Sequence, residues 1–138
     1  MKAAVVYWSG TGNTAAMAEL VLEGMKAAGA QAELLECNSV TDLSAYDAIA
    51  FGCPAMGSES LEDGEFEPMF DSVKKTLSGK RIALFGSYGW GDGEWMRTWE
   101  DDCADAGIIL AADSVICNDA PDDEALEACR ALGETLAQ

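Results

Sequence analysis

Ala3-Ala4-Val5-Val6-Tyr7-Trp8-Ser9-Gly10-Thr11-Gly12-Asn13-Thr14-Ala15 decides the fold. It holds a short apolar run, a tight loop with two glycines and three hydroxyls, and the start of a helix-like stretch. A strand feeding such a loop is a place to hold a phosphate. The glycines let the backbone turn sharply and point successive N–H groups inward, and the following helix adds unpaired N–H groups and the positive end of its dipole. No Lys or Arg lies between Trp8 and Met25, so the anion is to be gripped by neutral donors, with Ser9, Thr11 and Thr14 as the hydroxyls able to give a proton.

Other phosphate motifs compete with this reading. The loop lacks the Gly-Lys-Ser/Thr ending of a Walker A sequence. It meets the looser dinucleotide pattern through Gly10, Gly12 and Ala15, with Glu36 at about the right distance for a ribose. A pyrophosphate site relies on bare backbone, however, whereas a hydroxyl at nearly every second position suits a phosphate monoester with three oxygens to satisfy. The plain structural reading is a glycine-rich turn in which Thr or Asn caps the helix.

Outward from this loop, strand-like and helix-like segments alternate. Apolar runs at Ala3 to Tyr7, Ala32 to Leu35, Ala48 to Phe51, Ile82 to Phe85 and Ile108 to Ile116 read as five strands buried on both faces. Met17, Leu20, Val21, Gly24, Met25 and Ala28 follow a helical stripe that Gly29 stops, and Glu67 to Leu77, Gly93 to Ala106 and Asp122 to Leu136 are further helices. Asp42 to Tyr46 reads as a short helix or turn. The alternation predicts an α/β fold, a doubly wound five-stranded parallel sheet with helices on both faces, whose ligands sit beyond the carboxyl ends of the strands.

The whole chain narrows the function. Its 138 residues, 49% of them hydrophobic, are read as one domain with a proper core. The apolar run at the start is too short for a signal peptide or a membrane span, which points to a soluble cytoplasmic protein. Five scattered cysteines without a Cys-x-x-Cys pair indicate neither a disulfide framework nor a zinc site. The complete lack of histidine removes Ser-His-Asp and Cys-His nucleophile systems. A net charge of −17 excludes nucleic acid and anionic membrane as natural partners and favours partners with basic patches.

Two more loops follow apolar runs on the same expected rim: Gly52-Cys53-Pro54-Ala55-Met56-Gly57-Ser58-Glu59 and Gly86-Ser87-Tyr88-Gly89-Trp90-Gly91-Asp92-Gly93. Large aromatics on a glycine-rich loop are costly in water unless they cover something flat and apolar, so Trp90 is the stacking candidate. Met56 offers a polarizable side chain opposite. A phosphate site with two such loops describes a phosphorylated planar cofactor.

The segments Tyr7 to Thr14, Gly52 to Glu59 and Leu84 to Trp95 closely resemble those of short-chain flavodoxins from anaerobic bacteria, and the resemblance covers essentially the whole chain. The resemblance implies FMN as cofactor, with Ser9, Gly10, Thr11, Gly12, Asn13 and Thr14 at its phosphate. It implies Met56 and Trp90 on the two faces of the isoalloxazine within Pro54, Ala55, Met56, Gly57, Ser58 and Glu59, and Glu59 accepting from flavin N3–H. In that family the backbone at Gly57 and Ser58 turns over on reduction, so that the Gly57 carbonyl accepts the N5–H of the neutral semiquinone. Ser87, Tyr88, Gly89, Trp90 and Gly91 would serve the pyrimidine and ribityl ends, and Asn118 and Asp119 follow strand five in a suitable place.

The expected function is a low-potential one-electron carrier, not an enzyme, shuttling non-covalently bound FMN between semiquinone and hydroquinone. Acidic residues on both flanks, Glu59, Glu62, Asp63, Glu65, Glu67 and Asp71 on one and Asp92, Glu94, Glu100, Asp101 and Asp102 on the other, would lower the second potential and steer basic redox enzymes. The rival is an FMN-dependent NAD(P)H:quinone-type reductase of the same fold, which normally needs a basic surface for its nucleotide. A monomer is expected, since no surplus apolar face stands out.

Overall fold

The computed structural model describes residues 1–57 and 59–138, and it places nine regular elements around one sheet. They are β1 (Lys2–Tyr7), α1 (Asn13–Ala27), β2 (Gln31–Glu36), β3 (Ala48–Gly52), α2 (Phe66–Val73), β4 (Arg81–Tyr88), α3 (Glu94–Asp105), β5 (Val115–Asn118) and α4 (Asp123–Leu136). All pairings are parallel and the strand order is β2-β1-β3-β4-β5.

Alternation along the central strands sorts the core into two layers. Ala3, Val5, Ala48, Ala50 and Ala83 face α1 and α4, where small side chains let the helices lie close; Met17, Val21, Met25, Cys129, Leu132 and Leu136 fill that layer. Val6, Ile49, Phe51, Ile82 and Leu84 face α2 and α3 and meet Phe66, Phe70, Trp95 and Trp99. The rings of Phe51 and Phe70 cross edge to face at 5.1 Å, and Trp99 packs edge to face on Phe66 and Phe70.

Three segments differ from the sequence reading. The fifth strand is Val115–Asn118; of the apolar run Ile108 to Ile116, Leu110 and Ala111 meet the sheet earlier, through a single bridge of Leu110 to Ile82 and a bond of 2.8 Å from Ala111 N–H to the Ile82 carbonyl. Ile108 plugs the core while Ile109 is 85% exposed, so the run straddles the surface before pairing begins. β2 and β5 are edge strands with alternating exposure, not strands buried on both faces. The expected helix to Leu77 ends as α at Val73 and tightens into a 3₁₀ turn at Lys74–Thr76, where the Ser72 and Thr76 hydroxyls donate to the Met69 and Val73 carbonyls.

Tyr7, Gly52 and Phe85 lie in register across β1, β3 and β4, so the loops that follow β1 and β3 leave the sheet at one level. Helices return antiparallel to the strands, which puts the end of α1 and of α2 at the opposite pole. Six of the eight basic residues, Lys2, Lys26, Lys74, Lys75, Lys80 and Arg81, stand at strand starts or helix ends on that far side.

Candidate functional site

At the rim the three loops meet around a cavity of about 220 Å³. The first loop supplies Trp8, Gly10, Thr11 and Asn13; the second Pro54, Ala55 and Met56; the third Ser87, Tyr88 and Gly89; and Asp119 closes the side beyond β5. A space of this size holds part of a cofactor-sized ligand and leaves the rest in solvent.

The first loop is built for an anion. Gly12 adopts a left-handed conformation at φ 98° and forms the N-cap of α1 with no side-chain cap, so neither Thr nor Asn satisfies the helix start. Ser9 takes that part from outside: its Oγ accepts from the Gly12 and Ala15 N–H groups at 3.1 and 3.3 Å. Thr14, 1% exposed, carries a hydroxyl with no hydrogen-bond partner beneath the loop. A buried hydroxyl left unpaired costs about 1–3 kcal/mol unless a ligand completes it. A phosphate oxygen at the helix start would do so, and the donor set, neutral hydroxyls and main-chain N–H groups, suits a monoester.

The second and third loops are laced together. Ala55 N–H donates to the Ser87 carbonyl at 3.0 Å, and within the second loop Glu59 N–H donates to the Met56 carbonyl and Met56 N–H to the Ser60 carbonyl. Glu59 sits at φ 52° and Asp119 at φ 57°, the non-glycine residues with left-handed backbone among those described, and both belong to rim loops. The Glu59 carboxylate lies against Gly91, where any β-carbon would collide with it. Burial, then the facing Glu94 carboxyl and the charge of Asp92, push the Glu59 carboxyl above its ordinary range. Asn118 Nδ2 donates to the Tyr88 and Gly89 carbonyls and Asp119 N–H to the Tyr88 carbonyl, so this pair braces the third loop from behind.

Several expected site residues lie off the cavity wall. Ser9 lines a smaller cavity of about 120 Å³ beside Tyr7, Trp8 and Glu36. Gly12, Gly57, Glu59, Gly91 and Asn118 stand around the main cavity without lining it. Ser58 falls outside the described residues. Trp90 is 61% exposed and neither lines the cavity nor folds onto the core. Trp8 was not singled out from sequence, yet it lines both cavities and donates from Nε1 to Glu65 at 3.2 Å. Its signal was an aromatic side chain immediately ahead of the loop.

The acidic flanks are partly paired. Lys74 joins Asp71 to Asp102 across α2 and α3 at 3.1 and 3.0 Å, and Arg97 holds Asp92 at 2.9 Å. The Glu62 carboxylate caps the start of α2, and Glu100 accepts from Ser114.

The family model described as flavodoxin matches residues 5–133. The chain belongs to the flavodoxin family. It is 46% identical over 136 residues to a flavodoxin of Megasphaera elsdenii and 42% identical over 135 residues to one of Clostridium beijerinckii, covering 97% and 96% of this chain and 97% of each relative. The solution structure of two-electron reduced Megasphaera elsdenii flavodoxin superposes with a TM-score of 0.89 at 47% identity over 98% of both chains. A flavodoxin from the domain Archaea gives 0.82 at 31% identity, covering 99% of this chain and 96% of that one. As a flavodoxin, the chain binds FMN and carries electrons to redox partners, and it is not an enzyme. Nothing in these relatives favours the reductase alternative. Among the described residues no helix is long and apolar enough to cross a membrane.

Proposed function

We propose that residues 1–138 work as one FMN-binding domain, a monomeric, cytoplasmic, low-potential one-electron carrier. The observation that carries the site is the buried, unpartnered hydroxyl of Thr14 at the start of α1, whose N-cap Gly12 brings no side chain of its own. Ser9 to Thr14 hold the phosphate. Pro54 to Glu59 and Ser87 to Gly91 enclose the ring system, with Met56 and Trp90 toward its faces and Glu59 toward its pyrimidine edge. Asn118 and Asp119 keep the third loop in place. When bound, FMN supplies the one-electron redox chemistry; the protein supplies orientation, hydrogen bonds and charge.

Gly57 is exposed and a β-carbon there would meet nothing within 4 Å, so space alone does not call for glycine. Glycine serves this position through backbone freedom, not through lack of space. Redox enzymes with basic docking patches are the partners that the acidic rim fits, and weak, fast encounters follow from charge attraction of that kind.

Thr14→Val tests the phosphate site because it removes the hydroxyl and keeps the shape. FMN binding to the apoprotein is expected to weaken by about one to two orders of magnitude, the range for a hydrogen bond to a charged group. Riboflavin, without the phosphate, is expected to bind as before, and apoprotein stability is not expected to fall. Equal losses for FMN and riboflavin, or none for either, would remove Thr14 from the phosphate site.

A further inference from the structure

The turn Met56 to Ser60 is closed by its own backbone, with bonds of 2.8 Å from Glu59 N–H to the Met56 carbonyl and 2.9 Å from Met56 N–H to the Ser60 carbonyl. The chain on either side is held in another way. On entry, Cys53 N–H donates to the Phe85 carbonyl at 3.2 Å, and the Cys53 carbonyl accepts from the buried indole of Trp95 at 3.1 Å. On exit, Glu62 N–H donates to Cys53 Sγ at 3.4 Å. The residue that ends the segment is thus fastened to the residue that begins it.

Glu62 is itself anchored. Its Oε1 accepts from Glu65 and Phe66 N–H at 2.7 and 2.8 Å, its Oε2 from Gly64 N–H at 2.8 Å, and its carbonyl from Glu67 N–H at 2.9 Å. Burial works to raise this carboxyl, but the N–H groups of Phe66, Glu65 and Gly64 outweigh it and hold the group below its ordinary range. The carboxylate therefore stays ionised and in place at neutral pH. Cys53 is fully buried, and burial pushes its thiol up, so its sulfur is a neutral acceptor.

We propose that Cys53 and Glu62 form a closed neck beneath the Met56–Ser60 turn, and that Glu62 is a positioning residue which confines backbone rearrangement at Gly57 to the turn itself. This rests on the placement of that turn against the flavin. Ala55 is tied to the Ser87 carbonyl at 3.0 Å on the entry side, but without the neck the residues from Met56 to Leu61 would share any rearrangement, and each residue freed must be ordered again when the flavin binds. With it, the entry strand and the start of α2 stay fixed while the turn changes.

Three variants separate this role from the charge of Glu62: Glu62→Gln, Glu62→Ala and Cys53→Ala. The first two lose the same charge, but Gln keeps one oxygen that can accept two of the three N–H groups. The readouts are amide hydrogen exchange over residues 53–67, with and without FMN, and the lower one-electron potential at low and high salt. Glu62→Ala is expected to speed exchange across residues 56–61 by about fivefold, the equivalent of losing a helix cap, and to shift the potential in a way that persists at high salt. Glu62→Gln is expected to do so less, and Cys53→Ala to speed exchange in the same segment. Equal shifts for Gln and Ala that vanish at high salt, with exchange unchanged, would reduce Glu62 to a point charge and overturn the proposal. If Glu62→Ala does not fold, unchanged exchange in Cys53→Ala has the same force. The flavin placement is tested separately: if FMN fails to slow exchange at Met56 to Glu59 in the unaltered protein, that placement falls and the neck with it. If FMN slows it and the variants match the unaltered protein, only the neck falls.

Discussion

Gly24 of α1 lies with its Cα against the main-chain carbonyl of Arg130 in α4, so close that any β-carbon at position 24 would collide with that oxygen. Gly133 repeats the relationship in reverse against the Val21 carbonyl. Alanine ordinarily stabilises a helix interior relative to glycine by roughly 0.5–1 kcal/mol. Here Gly24→Ala and Gly133→Ala are each expected to destabilise by about 1–3 kcal/mol, because backbone cannot step aside as a flexible side chain can. Urea denaturation of the apoprotein checks this, and a raised midpoint for either variant would contradict the close approach.

Trp90 stands 61% exposed beside the cavity, without the core contacts that usually explain a tryptophan. Stacking on a planar ring is worth about 0.5–1.5 kcal/mol, so Trp90→Ala is expected to weaken FMN binding by roughly two- to twelvefold and to leave apoprotein stability nearly unchanged. Fluorescence titration of apoprotein with FMN reads the first, thermal unfolding the second. Full affinity in the variant would exclude the indole from the flavin.

The charge environment predicts a salt effect of known sign. Asp71, Asp92 and Asp102 are in ion pairs, while Asp63 and Glu67 enter none among the described residues. An unpaired charge about 12 Å away contributes roughly 0.3–0.7 kcal/mol at an effective dielectric of about 40–80. Two or three such charges oppose the second electron by about 1 kcal/mol, or about 40 mV at about 59 mV per tenfold change. Screening removes part of this, so the lower one-electron potential is expected to rise with ionic strength. Spectroelectrochemistry at low and high salt tests it; a constant potential would show that the charges do not reach the flavin.

Thiol chemistry should single out one cysteine. Burial first of all pushes Cys37 up to about 11 and Cys103 and Cys129 up to about 12. Cys53 is raised as well. Cys117, on the edge strand, is only partly buried; burial and then Asp122 and Asp119 raise it too. A raised thiol carries less thiolate at a given pH, and the thiolate is the nucleophile. At pH 8 an aromatic disulfide reagent is therefore expected to react slowly, with Cys117 first and the other four only on unfolding. The Cys117 rate should still be climbing at pH 9, where a free thiol starts to level off. Rapid labelling of Cys53 in the native protein would contradict its burial.

The strand, loop and helix from Ala3 to Ala27 were legible because each carries its own local signal: an apolar run, glycines among hydroxyls, and an i, i+3, i+4 stripe. Sequence could name three hydroxyls but not their division of labour. Only the fold shows Ser9 accepting from the loop and Thr14 buried without a partner. The run from Ile108 misled because apolarity does not distinguish a core plug from a paired strand. The acidic flanks misled in degree: Asp71 and Lys74 are neighbours on one helical turn, but Asp102 joins them only because α3 packs beside α2. Glu62 showed no more than a charge, since its capping role depends on where the following helix begins.

The gathering of six basic residues at the pole opposite the loops gives the molecule a handle for rotation. Toward a partner with a cationic surface, the rim would be drawn in more strongly than the far pole, where basic residues offset part of the negative charge, and the resulting torque would act before any contact forms. A collision that begins with the wrong end turns or separates instead of lingering. Orientation would then be set during approach, and a few contacts at the rim would need to hold only for the time an electron takes to cross.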